Sequence, residues 1–357
     1  MKNLITFITI LLTIGLSAQN VITVDNNQGA GAQYSDLQTA INNANAGDII
    51  YVQPSPNGYG NININKTLSI YGIGHIPELN AGLTASINYI NFNNDAPNTI
   101  LSGLHIFGIQ FNNNSGNNNN VVITHNRISR VLGNVTTMAA NNIVISGNYF
   151  VDGFYNIDIN SSQNWIITNN LFEHTSTNPI FNSFADLNTT TTFSNNIVLT
   201  RQNGDSNQSI ELFNNCQGTH INNNIFLFTG ANVSNFNLGT NNALSFSNNL
   251  TYNYNTTLDA LNGTNNLDNT DPLFTSFNSN ASLNITTNNY ELQSGSPAEN
   301  AGTDGNDLGV FNGNFPFNLR GYPTELPYLT EFTIFNTSIS AGETLNINIK
   351  ANANINN

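Results

Sequence analysis

The chain repeats itself at an interval of 22 residues, and that interval leaves few folds open to it. VISGNYF (Val144–Phe150) returns as IITNNLF (Ile166–Phe172), with Asn148 and Asn170 in the same slot. Upstream, VITHNRI puts Asn126 there, 22 back, and LSGLHI puts Leu104 there, 22 back again. Downstream, Asn196, Asn224 and Asn249 continue the series at gaps of 25–28, as expected when surface loops lengthen between repeats.

The residues around this anchor alternate. Three places before it stand Leu101, Ile123, Ile145, Ile167, Phe193, Ile221 and Phe246; two places after it stand Ile106, Ile128, Phe150, Phe172, Val198, Phe226 and Thr251. Two places before it stand Ser102, Thr124, Ser146, Thr168, Ser194, Asn222 and Ser247. Apolar in and hydroxyl out at period two is a half-buried strand. A unit this short cannot bury its own apolar face, so successive coils must stack, with equivalent residues about 4.8 Å apart. The anchor column then becomes a ladder in which each Asn amide donates to and accepts from its neighbours. Asn also tolerates the left-handed turn that bends the chain between faces. Leu104 interrupts the ladder at its first rung and marks a transition to thinner N-terminal coils.

On these residues the chain resembles the secreted bacterial right-handed parallel β-helix repeat proteins with the pectate-lyase-like fold, over most of residues 21–320. The right hand and the three-faced cross-section are what the resemblance implies. A helix is expected over 34–47, with Ser35 as N-cap, Gln38 completing a capping box, Leu37, Ala40, Ile41 and Ala44 on one apolar face, and Gly47 as the stop. With the strands after it, this opening is similar to the N-terminal cap that plugs the solenoid in that family. Residues 75–96 form a further coil with Ile87, Ile90 and Phe92 inward, and the clearest repeats occupy 98–254. Asp271-Pro272-Leu273-Phe274, Asn289-Tyr290-Glu291-Leu292, Ser296-Pro297-Ala298 and Asp307-Leu308-Gly309-Val310-Phe311 resemble the family's recurrent C-terminal phrases, though Asn300 stands where the family has Asp. Residues 326–357 read as a β-hairpin or tail packed on the last coil.

Residues 1–18 read as a secretory signal: Lys2, an apolar run Leu4–Leu16, then Ser17-Ala18. That stretch is short for a membrane span. No Cys follows it, which argues against a lipid anchor, and no other stretch is long enough to span. The expected mature chain is a single β-helix domain, 19–325, with the tail behind it, secreted or at the cell surface, and monomeric. Charged residues are only 8% of the chain and the net charge is −14, so no basic patch for nucleic acid can form. Asn makes up roughly one residue in five, but the periodic Ile, Phe and Val argue against disorder. The lone Cys216 is expected to be buried and inert.

Two enzyme classes are common in the fold the chain resembles. The polygalacturonase-like hydrolases use paired carboxylates, and of their motifs only Asn269-Thr270-Asp271 is present, inside a structural phrase. The pectate-lyase-like enzymes use an Arg or Lys base and a cation, often calcium, that acidifies the substrate proton. The candidate bases are Lys66, Arg127, Arg130, Arg201, Arg320 and Lys350. Four places after the anchor, three successive coils carry Arg130, Asp152 and His174, with Tyr155 and Glu173 in the same coils and Arg201 one position off the column. Stacked, this row would bind a sugar or move a proton; equally, it would be a charge-compensated surface ladder at a turn, Asp152-Gly153 being ordinary turn chemistry. His125 reads as a turn residue and Trp165 as core against a sugar platform. Thr189–Thr192 could form an ice-binding hydroxyl array, but the run does not repeat. The expectation is an all-β parallel β-helix that binds a polysaccharide or cell-surface glycan without a cofactor. The alternative is a polysaccharide lyase acting by β-elimination on an acidic glycan, with Arg130 as base and calcium as the ion it would use. The segments after Asn170, Asn178–Leu187 and Gln202–Gln217, are the expected loop material walling such a site.

Overall fold

The computed structural model describes residues 19–77, 82–93, 95–111, 116–133, 140–151, 156–174, 183–200, 210–230, 236–237, 243–278, 285, 287–323, 326–336 and 338–352. The signal-like segment lies outside these residues. The chain is an all-β parallel solenoid, with one short helix among the described residues. One long sheet has eleven strands, all parallel, from Val21–Val24 to Gly263–Thr264. A second sheet has twelve strands from Ile62–Ile64 to Leu250–Asn253. Register follows the repeat: Ile123, Ile145, Ile167, Phe193, Ile221 and Phe246 are successive partners in the first sheet. All six are fully buried. Equivalent aromatics stack, Phe150 on Phe172 at 4.6 Å and Phe92 on Phe111 at 4.8 Å, which is the strand spacing. Trp165 is core, its Nε1 donating to Ala140 O at 2.7 Å.

The second sheet divides. Arg127–Leu132 pairs by its first half with Tyr149–Val151 and by its second half with Ile157–Asp158. The later coils keep that split: Phe184–Ala185 and Phe213–Asn214 are strands of this sheet, and Ile210–Glu211 pairs with Phe236–Asn237. The segments expected to be loop therefore contain strands, because Phe184, Leu187 and Phe213 face the core.

The helix is shorter than expected, Leu37–Asn43, and its N-cap is Asp36, whose side chain accepts from Thr39 N–H at 2.7 Å. Gln38 serves the edge strand Ile62–Ile64 instead of a capping box. It accepts from Asn63 N–H at 2.7 Å and donates to Asn63 O at 3.2 Å, satisfying backbone that would otherwise face solvent unpaired.

The anchor column is a buried amide ladder. Asn148 Nδ2 donates to Ile123 O, Ser146 O and Asn170 Oδ1, and Asn148 Oδ1 accepts from Asn126 N–H at 2.9 Å. The pattern recurs through Asn196, Asn224 and Asn249 and ends on Asn266, a rung beyond the expected series. Leu104 carries no amide, yet its backbone N–H still donates to Asn126 Oδ1. The left-handed residue is not the anchor itself. It is the position before it: Gly103, His125, Gly147, Asn169, Asn195, Asn223, Asn248 and Asn265 all have φ between 54° and 72°.

A C-terminal strap was not foreseen. Phe274–Ser276 pairs antiparallel with Asn289–Leu292, and residues 296–323 then run back along the solenoid over the left-handed column. Asn248 Nδ2 donates to Ala301 O at 2.8 Å, Asn223 exchanges bonds with Thr303, Asn169 Nδ2 donates to Val310 O at 2.9 Å, and His75 N–H donates to Arg320 O at 3.3 Å. Pro323 lies against Gly103. Under this strap the outward side chains Tyr149, Leu171, Ile197, Ile225 and Leu250 form a second apolar cluster with Phe274, Tyr290, Leu308, Val310 and Phe317. The hydroxyl column expected to face solvent is largely buried: Ser102, Thr124, Ser146, Thr168 and Ser194 each expose less than a tenth of their surface. The terminal strands Tyr328–Ile334 and Ile347–Asn352 form the expected antiparallel hairpin. Because the strap ends at the early coils, the hairpin leaves from there and not from the last coil.

Candidate functional site

Arg130 projects from the outer face of the second sheet, in register with Gly108, which is in register with Tyr89. Gly108 decides the contact. A Cβ there would stand 2.8 Å from the Tyr89 ring and 3.4 Å from Arg130 Nε, so only glycine lets the two side chains meet across its coil. The guanidinium lies 5.4 Å from the Tyr89 centroid and 5.3 Å from the Phe107 centroid, and one Nη donates to the Tyr89 hydroxyl. The two rings meet edge to face at 5.3 Å. Phe107 is 49% exposed. The result is a cation set between two aromatic rings on an open sheet, an arrangement in which the guanidinium loses little freedom on taking a planar anion.

The rest of the expected row is distributed differently. Asp152, Tyr155 and Arg201 lie outside the described residues. His174 is buried in the strand Leu171–His174, two coils or about 10 Å from the Arg130 rung, with its Nε2 3.1 Å from Ser183 Oγ. Burial lowers its pKa to about 4, which keeps the ring neutral at physiological pH. Glu173 is enclosed in the second apolar cluster, where its carboxylate accepts from the Tyr149 hydroxyl at 2.5 Å and from the Tyr290 hydroxyl. It ties the strand Asn289–Leu292 to the solenoid. Burial, then the Glu173 charge, push the Tyr290 pKa up.

Three more histidines gather near Arg127, whose guanidinium lies 5.5 Å over the Tyr149 ring. His75, His105 and His125 are all lowered, to about 3, 4 and 4, in each case by burial first. His125 is the turn residue expected, at φ 55°, its Nδ1 2.9 Å from Thr124 Oγ1. Burial pushes the Cys216 thiol up to about 12, so it is inert as expected. Asn269 bonds both backbone groups of Leu258, and Asp271 caps Leu273 N–H, so this triplet is structural. Thr190 and Thr191 are held in a turn by Asn188.

Sequence reading missed Tyr89 and Phe107, although Tyr89, Gly108 and Arg130 share one register column. The spacing from Tyr89 to Gly108 is 19 residues where the later coils have 22, so the column is lost to a search at constant period. The fold and this face define the chain as a parallel β-solenoid with a strapped flank and an open aromatic–arginine platform. No protein-family model matches the chain, and no curated protein matches it. Among the described residues no helix is long and apolar enough to cross a membrane.

Proposed function

We propose that this is a secreted or cell-surface carbohydrate-binding protein that takes a carboxylate-bearing glycan on the Arg130 platform. The observation that supports it is the Arg130 guanidinium packed against Tyr89 and Phe107 on an exposed sheet face. Sugar rings offer an apolar C–H face to Phe107, while a uronate carboxylate pairs with the guanidinium. The protein acts as a monomer and needs no cofactor in this reading.

Titration of the chain with polygalacturonate and alginate oligosaccharides tests it. Arg130→Ala weakens binding at least about tenfold, or 1.4 kcal/mol, and Arg130→Lys restores only part, because an ammonium cannot pair bidentately with the carboxylate. Equal affinity in parent and Arg130→Ala excludes the platform. The lyase alternative is read in the same tubes with added calcium: new absorbance from unsaturated products that disappears in Arg130→Ala makes Arg130 a base.

A further inference from the structure

The strap engages the left-handed Asn column at Asn248, Asn223 and Asn169, but it passes over Asn195. There Nδ2 is shut from solvent with no acceptor among the described residues. At this point the strap loops outward, turning at Gly305 (φ 76°) and Gly313 (φ 88°). A groove of about 540 Å³ opens between it and the first sheet, which is within the usual range of small-ligand sites, about 300–1,000 Å³.

The floor of the groove is two register pairs of outward side chains, Ile166 with Thr192 and Thr168 with Ser194. Its rim carries Asp304 and Phe315. Phe315 is 43% exposed and Ile166 38% exposed. The Asp304 carboxylate is held by Asn306, whose Nδ2 donates to it at 2.9 Å and whose backbone N–H donates at 3.1 Å. Among the described residues no Lys or Arg lines the groove, and the one charged side chain there is negative, which repels a uronate, sulfate or phosphate. What remains is hydroxyls, amides and one carboxylate facing an exposed phenyl ring, and that combination suits a neutral polyhydroxylated ring: hydroxyls donate to Asp304, accept from amides, and leave a C–H face for Phe315.

We infer that the groove between the strap and the first sheet at Asn195 is a second binding site, for a neutral sugar. It lies on a different sheet from Arg130 and is independent of the acidic-glycan reading.

Isothermal titration with neutral gluco-, galacto- and manno-configured tetrasaccharides tests it on the full chain. The expected result is that one of these binds and that Phe315→Ala and Asp304→Asn each weaken it at least tenfold, while Arg130→Ala leaves it within twofold. Both substituted side chains are at the surface, and thermal melts of the variants verify folding. If no neutral tetrasaccharide binds, or if binding survives both substitutions, the inference is overturned. If uronate oligosaccharides bind and are lost in Phe315→Ala instead, the groove takes an anion and the neutral-sugar assignment is wrong. Failure of the Arg130 platform shows separately, as uronate binding insensitive to Arg130→Ala.

Discussion

Asn170 Oδ1 accepts two bonds from Asn148, one from its side-chain Nδ2 and one from its backbone N–H, both at 3.0 Å. Each rung thus serves the preceding coil's side chain and main chain together. Replacing Asn148 by Leu keeps the volume filled, as Leu104 does at one end of the column, but orphans Asn126 N–H in a dry interior and removes one bond to Ile123 O. We expect a loss of about 2–4 kcal/mol, read as a lowered urea midpoint; a change under about 0.5 kcal/mol would show the ladder to be decorative.

A second ladder runs along the exposed turn of the lower coils. Asn120, Asn142 and Asn164 each donate Nδ2 to the amide oxygen of the residue 22 before, at 3.0 Å, and each has φ between 59° and 61° or just below, at 58° for Asn142. Asn142→Ala should cost about 1–2 kcal/mol from the left-handed backbone, whereas Asn142→Gly should cost less. Equal melting temperatures for the two variants would remove the conformational argument.

Gly321 fits because it has no side chain. At φ 61° a Cβ there would overlap the His75 imidazole, whose Nε2 lies 3.3 Å from Asn318 O while the His75 backbone N–H donates to Arg320 O. Gly321→Ala should release this end of the strap and raise hydrogen exchange along residues 308–323, while exchange in the anchor ladder stays slow. Uniform exchange rates in parent and variant would mean that the strap is not held there.

Acid should loosen the protein through its histidines. His75, His105, His125 and His174 are lowered to about 3, 4, 4 and 4 by burial, so the unfolded chain binds protons that the folded chain refuses. Their contribution is complete above about pH 6.5 and is lost as pH falls toward 4. Asp158 acts oppositely: burial, then the neighbouring Asp186, raise it to about 6, so its contribution is present at low pH and lost as pH rises through 6. Four groups against one give a net fall in the urea midpoint between pH 7 and pH 4. A flat profile over that range would contradict the buried, neutral state of these rings.

The inner columns were legible because burial there is imposed by the repeat itself. Ile123, Ile145 and Ile167 recur at one spacing and one period, and their register in the first sheet follows directly. The apolar run Tyr149, Leu171, Ile197, Ile225 and Leu250, one place after each anchor, was equally periodic. It points outward, so its meaning depended on a later segment of the chain folding back over it. Glu173 shows the same gap. Adjacency to a proposed row made it a ligand candidate, and only the return of Tyr290 over its coil shows the carboxylate enclosed.

Local spacing by itself determined the solenoid, the amide ladder and the inward faces, because stacking identical coils translates a sequence period into a spatial column. The tertiary structure alone decided what lies on the outside. Where the strap descends, where it skips Asn195, and which outward arginine finds two aromatic rings all depend on chain segments of irregular spacing meeting at a distance. Such meetings are selected by the summed burial of a whole flank, and no single repeat carries that information.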